Sequence, residues 1–220
     1  MNPLFGLRYV ALAAGLLSLL PVYAGNAPDR TVQGHSVISS HDPKTEIALP
    51  TAAVYVGSER WLLKAYWDDV ELHAFVDAGA DKHVQRLYWV QFEAYLPSHP
   101  EEKHDYDSPR HATLGGLDFF VDTWVSSPGS TDDPDPDSDS AHLKAVLRSK
   151  GYTLPASRMS VRFVHLMDDA RKELMFIYSE DTGPTGYTAA DLSKGGRAYA
   201  QWPGIEAGLI ARGQDSIQLH

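Results

Sequence analysis

The sequence predicts an α+β protein with one curved, mainly antiparallel sheet of about six or seven strands and two or three helices packed on a face of it. Short runs rich in Val, Tyr, Trp and Phe recur from Ala52 onward, and such runs are typical of strands. Helical patterns are few. The order of strands, helix, hairpin and helix lacks the regular βαβ alternation of a parallel sheet, so an antiparallel sheet is favoured.

The predicted strands are short apolar runs bounded by turn residues. They cover residues 53–57, 60–67, 70–77, 84–96, 117–125, 160–167 and 173–179. Turn-forming sequences at 77–81 and 168–171 predict two hairpins. Residues 60–76 also fit one stripe of a helix, so the strand prediction is ambiguous there.

Capping residues predict the helices. Ser140 begins a helix that Gly151 ends, because a hydroxyl caps the first turn and glycine tolerates the conformation after the last. Thr188–Asp191 matches a capping box. Pro203 suits the first turn of a third helix, and Gly213 is the predicted end of that helix.

Residues 1–24 are predicted to be a secretory signal peptide. Arg8 gives a positive start, Tyr9–Leu20 is apolar, and small residues precede the predicted cleavage between Ala24 and Gly25. The alternative is a retained membrane anchor, but a bilayer needs about 20 residues and this apolar stretch is shorter. We therefore expect an exported bacterial protein, periplasmic or extracellular, with no membrane span after cleavage.

The rest of the chain is predicted to form an irregular leader at 25–50 and a single α+β domain at 51–220. Near 126–140 the alternating Asp, Pro and Ser residues predict a disordered acidic loop, because like charges repel and prolines cannot join a β-ladder. The chain has no cysteine, so an exported fold must rely on its core.

Composition and motifs disfavour several functions. The formal net charge is −10, and removing Arg8 with the signal peptide makes it −11, which disfavours nucleic acid. No phosphate-binding glycine loop, dinucleotide fingerprint or cysteine nucleophile is present, so the sequence indicates no cofactor and no catalytic residue. Histidines and acids at 98–111 suggest metal ligation, but their spacing matches no known motif, and we assign no metal site there.

Strand alternation at 84–96 and 117–125 identifies a candidate ligand surface. If the two strands are near neighbours, the faces that carry Trp89 and Trp124 form one surface of aromatic rings and polar groups. Such a surface suits a small molecule, a sugar or a peptide. The alternative is that helices cover these rings as ordinary core. The candidate ligand-binding residues are Trp89, Gln91, Glu93, Tyr95, Asp118, Phe120, Asp122 and Trp124.

The sequence therefore favours a non-catalytic binding protein. One alternative is a hydrolase that pairs Glu93 with Asp118 or Asp122, since two nearby carboxyl groups can perform acid–base chemistry. Another is an interaction module that docks an exported protein partner through exposed aromatic residues.

Overall fold

The computed structural model describes residues 27–63, 67–127 and 135–220, which form two antiparallel sheets and three α-helices. The strands are β1 (Thr31–Gln33), β2 (Ser36–Ser39), β3 (Thr45–Ala48), β4 (Val54–Leu63), β5 (Asp68–Ala78), β6 (Val84–Tyr95), β7 (Arg110–Leu114), β8 (Leu117–Ser126), β9 (Arg158–Met167), β10 (Lys172–Asp181) and β11 (Gln218–Leu219). The helices are α1 (Asp139–Ser149), α2 (Ala189–Leu192) and α3 (Trp202–Asp215).

The larger sheet has seven strands in the order β4-β5-β6-β10-β9-β8-β7. The smaller sheet has the order β1-β2-β3-β11. This arrangement confirms the predicted α+β class. Both predicted hairpins are present, joining β5 to β6 and β9 to β10. The second turn places Asp168, Asp169 and Ala170 at φ of 52°, 55° and 63°, which closes the hairpin.

Different elements pack on the two faces of the seven-stranded sheet. One face, here called the α1 face, packs Leu72, Trp89 and other apolar side chains against Leu143 and Leu147 of α1. The other, the small-sheet face, packs its apolar side chains against the four-stranded sheet and α3. Phe163 is fully buried on that second face. The core therefore has two layers of side chains, one on each side of a central sheet.

The N-terminal part of the domain differs from the prediction. Residues 25–50, expected as an irregular leader, contain β1, β2 and β3. Val37 pairs with Ile47 across β2 and β3, and both side chains are fully buried. Each of these strands is only three or four residues long, so its alternation is too short to stand out in the sequence.

Strand prediction also differs at the sheet edges. The two runs expected at 53–57 and 60–67 are parts of one strand, β4, which ends at Leu63. β7 and β11 were not predicted, because their side chains are mostly exposed or half-buried and show no apolar alternation. Apart from a turn at Trp67, the ambiguous segment 60–76 is extended where the structure describes it, in β4 and β5.

The helices follow their predicted caps with two corrections. Ser138, not Ser140, caps α1 by accepting a hydrogen bond from the Ala141 amide. The capping box of α2 at Thr188 is confirmed. α3 has its proline in the first turn, as predicted, but it continues through Gly213 to Asp215. Gly213 instead allows close packing of α3 on the sheet, because a Cβ there would lie 2.7 Å from Val161 Cγ1.

Glu71 connects the N-terminal segment to the large sheet. Its carboxylate accepts hydrogen bonds from the backbone N–H groups of Asp29 and Arg30, both at 2.8 Å, and contacts His73 Nε2 at 2.8 Å. Burial by itself would raise the pKa of Glu71, but the His73 and backbone hydrogen bonds outweigh burial and lower the pKa to about 2. A buried carboxylate with this many donors is stable as an anion.

In the described part of the chain, no helix is both long and apolar enough to cross a membrane. The predicted signal peptide at residues 1–24 lies outside the described residues. So does the centre of the predicted acidic loop, residues 128–134, whereas 135–140 form a turn and the start of α1.

We expect Gly213→Ala to destabilise the protein by about 1–3 kcal/mol, because the added methyl group meets Val161 and Phe163. Gly204→Ala in the same helix has no atom within 4 Å of the new Cβ and should change stability little, or raise it by up to about 1 kcal/mol. Urea unfolding of the two variants measures the difference. Equal stability in both would show that α3 does not approach β9 as closely as described.

Candidate functional site

The structure places all eight predicted ligand residues on the α1 face, but in two separate groups. The β6 residues Trp89, Gln91, Glu93 and Tyr95 are buried, at 7%, 0%, 8% and 8% exposure. The β8 residues are half-buried or exposed, and Trp124 is 37% exposed. β10 and β9 lie between the two strands, so the groups are about 14 Å apart at the usual strand spacing.

This separation bears on the carboxyl pairs expected from the sequence. Asp122 hydrogen-bonds Ser108 and forms an ion pair with Arg162 at 2.7 Å. Asp118 is exposed. The residue directly opposite Glu93 in the sheet is Glu173 of β10. The close carboxyl pair of this face is therefore Glu93 with Glu173, not Glu93 with a residue of β8.

Three side chains from separate parts of the sequence meet beside this pair. Asp68 begins β5, Glu93 lies near the end of β6, and His104 comes from the loop at 96–109. One candidate ligand atom of each lies within 4.8 Å of those of the other two, and all three residues are buried. Two carboxylates and an imidazole at this spacing are donors that a divalent metal ion takes in proteins.

Glu173 holds the histidine in position. Its Oε2 accepts a hydrogen bond from the Tyr106 hydroxyl at 2.8 Å and lies 3.2 Å from His104 Nδ1. A histidine whose Nδ1 faces a carboxylate presents Nε2 as its coordinating nitrogen, and this arrangement is common around bound metals. Glu173 therefore acts by orienting His104. It is not counted as a third carboxylate ligand beside Asp68 and Glu93.

Burial and mutual repulsion change the acidity of this group. Burial, followed by the charge of Glu173, raises the pKa of Glu93 well above its usual value. Burial also raises the pKa of Glu173, to about 7, although the Tyr106 hydrogen bond acts in the opposite direction. The charge of Asp139, in the first turn of α1, contributes to both increases. Near neutral pH this group therefore binds protons that ordinary carboxylates have lost.

The loop that carries His104 is held against the end of the sheet by one arginine. The guanidinium of Arg171 donates to the backbone carbonyls of Tyr95, Leu96, His99 and Glu102, at 2.9–3.3 Å. The His104 amide also donates to the Ala170 carbonyl, at 2.8 Å. Because these contacts fix the loop to the β9–β10 turn, the His104 imidazole is held in a defined position.

The neighbouring histidines of the 98–111 cluster point elsewhere. His99 stacks on Trp67 with ring centroids 4.8 Å apart, and His111 packs against Phe120 at the same centroid distance. The loop therefore contributes one histidine to the site, and the other ligands come from the sheet. This explains why the histidine spacing matched no metal-binding motif.

Two residues of the site were missed in the sequence, Asp68 and Glu173. Both stand at positions that alternate with buried apolar residues, Asp68 before Val70 and Glu173 before Met175. An acid at an inward-facing strand position is a signal for a buried polar site, because burial of an uncompensated charge is costly. That signal becomes clear only when the strand boundaries are known.

Comparison with protein-family models, with curated proteins and with solved structures finds no match for this chain. The case for a function therefore depends on the geometry of the site.

We expect the metal-free protein to lose stability as the pH rises from about 4.5 towards 7. Glu173 has a pKa of about 7 in the folded state and 4.5 as its reference value, so the folded protein binds the extra proton in this range. The free energy of unfolding should then decrease by up to about 1.4 kcal/mol per pH unit. Glu173→Gln should reduce this dependence, measured by chemical unfolding at several pH values, and the part that remains is due to Glu93.

Asp118→Asn is the matched control, because Asp118 is exposed on the same face and its substitution should leave the slope unchanged. Glu71 acts in a different range: its lowered pKa gives stability above about pH 4.5 that is lost as the pH falls towards 2. A slope between pH 4.5 and 7 that is as steep in Glu173→Gln as in the wild type would contradict the raised pKa of Glu173, because Glu93 alone should leave a shallower slope.

Proposed function

We propose that this chain is a non-catalytic binding protein whose ligand is a single divalent metal ion, held by Asp68, Glu93 and His104. The observation that carries the proposal is the convergence of one donor atom from each residue within 4.8 Å, in a buried position. The residues come from two strands and a loop, so the fold itself brings them together.

The electrostatics of the site support a cation. Glu93 and Glu173 are at most 8% exposed and lie opposite each other on one face. Carboxyl groups buried side by side either retain protons or need a positive charge between them. A divalent ion supplies that charge, and its binding free energy adds to the stability of the folded protein.

Burial favours an ion over the larger ligands expected from the sequence. Trp89 and Tyr95 pack inside the protein, so the β6 strand offers no open ring surface on which a sugar or peptide could stack. The exposed part of the predicted surface is on β8, around Trp124, away from the buried acids. A metal ion needs only the space between its ligands.

The hydrolase alternative receives less support. The separation of about 14 Å estimated between β6 and β8 exceeds the 5–9.5 Å that glycoside hydrolysis uses between its two carboxyl groups. Glu93 and Glu173 are adjacent, but both are buried beneath the 96–109 loop and α1, where a polymer substrate does not reach them. Binding without turnover fits this geometry better.

We also propose that the protein acts outside the cytoplasm of a bacterium, after removal of residues 1–24. The support is the layout of the segment: a positive start, an apolar run and small residues before Gly25. The absence of cysteine leaves carboxylates and histidine as the strong metal donors of this chain.

We expect the chelator-treated wild-type protein to bind one Zn²⁺ ion, and His104→Ala and Asp68→Asn each to weaken binding at least 100-fold. Each variant removes one of the three donors, and loss of a ligand should cost more than the 10–100-fold typical of an outer-shell residue. Competition with a chromophoric chelator measures the dissociation constant. Asp68→Asn keeps the volume of the side chain, so the packing around the site should be retained.

His99→Ala is the matched control for this experiment. It changes a half-buried histidine of the same loop, which stacks on Trp67 away from the three candidate ligands, so Zn²⁺ affinity should be unchanged. Equal affinity of the wild type and His104→Ala, or binding lost only in His99→Ala, would refute the proposed site.

We expect the mature protein, purified from the envelope or culture medium of a bacterial host, to have the mass of residues 25–220. Signal peptidase should cut after Ala24, because Val22 and Ala24 are the small residues at the positions that the enzyme reads. Ala24→Arg should block processing. Intact-protein mass spectrometry measures both. A full-length chain retained in the membrane fraction would support the anchor alternative instead.

A further inference from the structure

A buried chain of hydrogen bonds along β6 leads to the proposed metal ligand Glu93. The indole N–H of Trp89 donates to Gln91 Oε1 at 2.7 Å. The amide nitrogen of Gln91 then donates to Glu93 Oε1 at 2.5 Å. These three side chains alternate along one strand, so they lie in a row on the α1 face, and Gln91 is fully buried.

The direction of this chain is fixed by the chemistry of its first member. An indole N–H donates and cannot accept, so the group of Gln91 that faces Trp89 must be the carbonyl oxygen. The amide N–H₂ of Gln91 is then turned towards Glu93. A flipped amide would set two donors against each other at Trp89 and two acceptors against each other at Glu93.

This constraint bears on how Glu93 can bind a metal ion. Its Oε1 accepts the Gln91 hydrogen bond, which takes one of the two lone pairs of that oxygen and fixes the orientation of the carboxylate. Coordination through Oε2 alone is therefore favoured over coordination through both oxygens. Ca²⁺ takes six to eight oxygen ligands, commonly with bidentate carboxylates, and Mg²⁺ keeps several waters in an octahedral shell. One-oxygen carboxylates combined with an imidazole suit a smaller set of ligands, as in zinc sites.

We infer that the site selects a first-row transition-metal ion such as Zn²⁺ over Ca²⁺, and that Gln91 is the residue that sets this selectivity. Gln91 acts through Glu93: its hydrogen bond to Oε1 disfavours bidentate coordination and thereby favours a low coordination number. The inference rests on the proposed function, since it presupposes that Asp68, Glu93 and His104 hold an ion.

The test uses Gln91→Met, which keeps the size of the side chain and removes the donor to Glu93. We expect the wild-type protein to bind Zn²⁺ at least 1,000-fold more tightly than Ca²⁺. In Gln91→Met this ratio should fall at least 10-fold, because Glu93 can then offer both oxygens. Chelator competition gives both dissociation constants.

Co²⁺ provides a readout of coordination that affinity alone does not give. Four-coordinate Co²⁺ absorbs visible light much more strongly than five- or six-coordinate Co²⁺. We expect strong bands in the wild type and clearly weaker bands in Gln91→Met. Gln85→Met, an exposed position on the same strand, is the matched control and should change neither the spectrum nor the Zn²⁺/Ca²⁺ ratio.

Trp89→Phe tests the same chain from its other end, in case Gln91→Met does not fold. It removes the indole donor, so the Gln91 amide is free to rotate, and the Zn²⁺/Ca²⁺ ratio should fall in the same direction. Zn²⁺ binding with an unchanged ratio in both variants, or equal wild-type affinity for Zn²⁺ and Ca²⁺, would overturn the inference and leave the proposed function standing. No Zn²⁺ binding in the wild type would overturn both.

Discussion

Burial of carboxyl groups in the middle of the large sheet is the constraint on which the rest of this structure depends. On the small-sheet face, Glu71 has enough donors from His73 and the N-terminal backbone to remain an anion, with a pKa of about 2. On the α1 face, Glu93 and Glu173 lie opposite each other, and burial together with neighbouring carboxylate charges raises the pKa of both. Neighbouring strands of one sheet thus carry one acid that is fully compensated as an anion and a pair that is not.

The two faces use this constraint for different purposes. Glu71 fixes the chain around residues 29–30 to β5, and so holds the small sheet against the large one. The pair on the other face has raised pKa values and binds protons that ordinary carboxylates have lost. Under the proposed function, a metal ion would supply positive charge there in place of these protons. The number of donors around each buried carboxylate therefore decides whether it stays an anion or binds a proton.

Strand alternation recovered part of the candidate site. It put Gln91 and Glu93 on the same face as Trp89, which the structure shows, because alternation within one strand is a local property. It did not reveal that β10 and β9 separate β6 from β8, since strand order depends on contacts between distant parts of the chain. Short strands such as β2 also escaped, because three or four residues carry too little periodicity.

By itself, the sequence determined the fold class, the hairpins and the capping box at Thr188, because turn chemistry, capping and side-chain alternation act between residues close in the chain. Only the tertiary structure decided which acids are buried and which histidine joins them. Asp68, Glu93 and His104 meet because a sheet register and an arginine-held loop bring them together across as many as 36 positions of sequence. That meeting depends on packing and backbone hydrogen bonds between remote segments, which no local pattern of residues records.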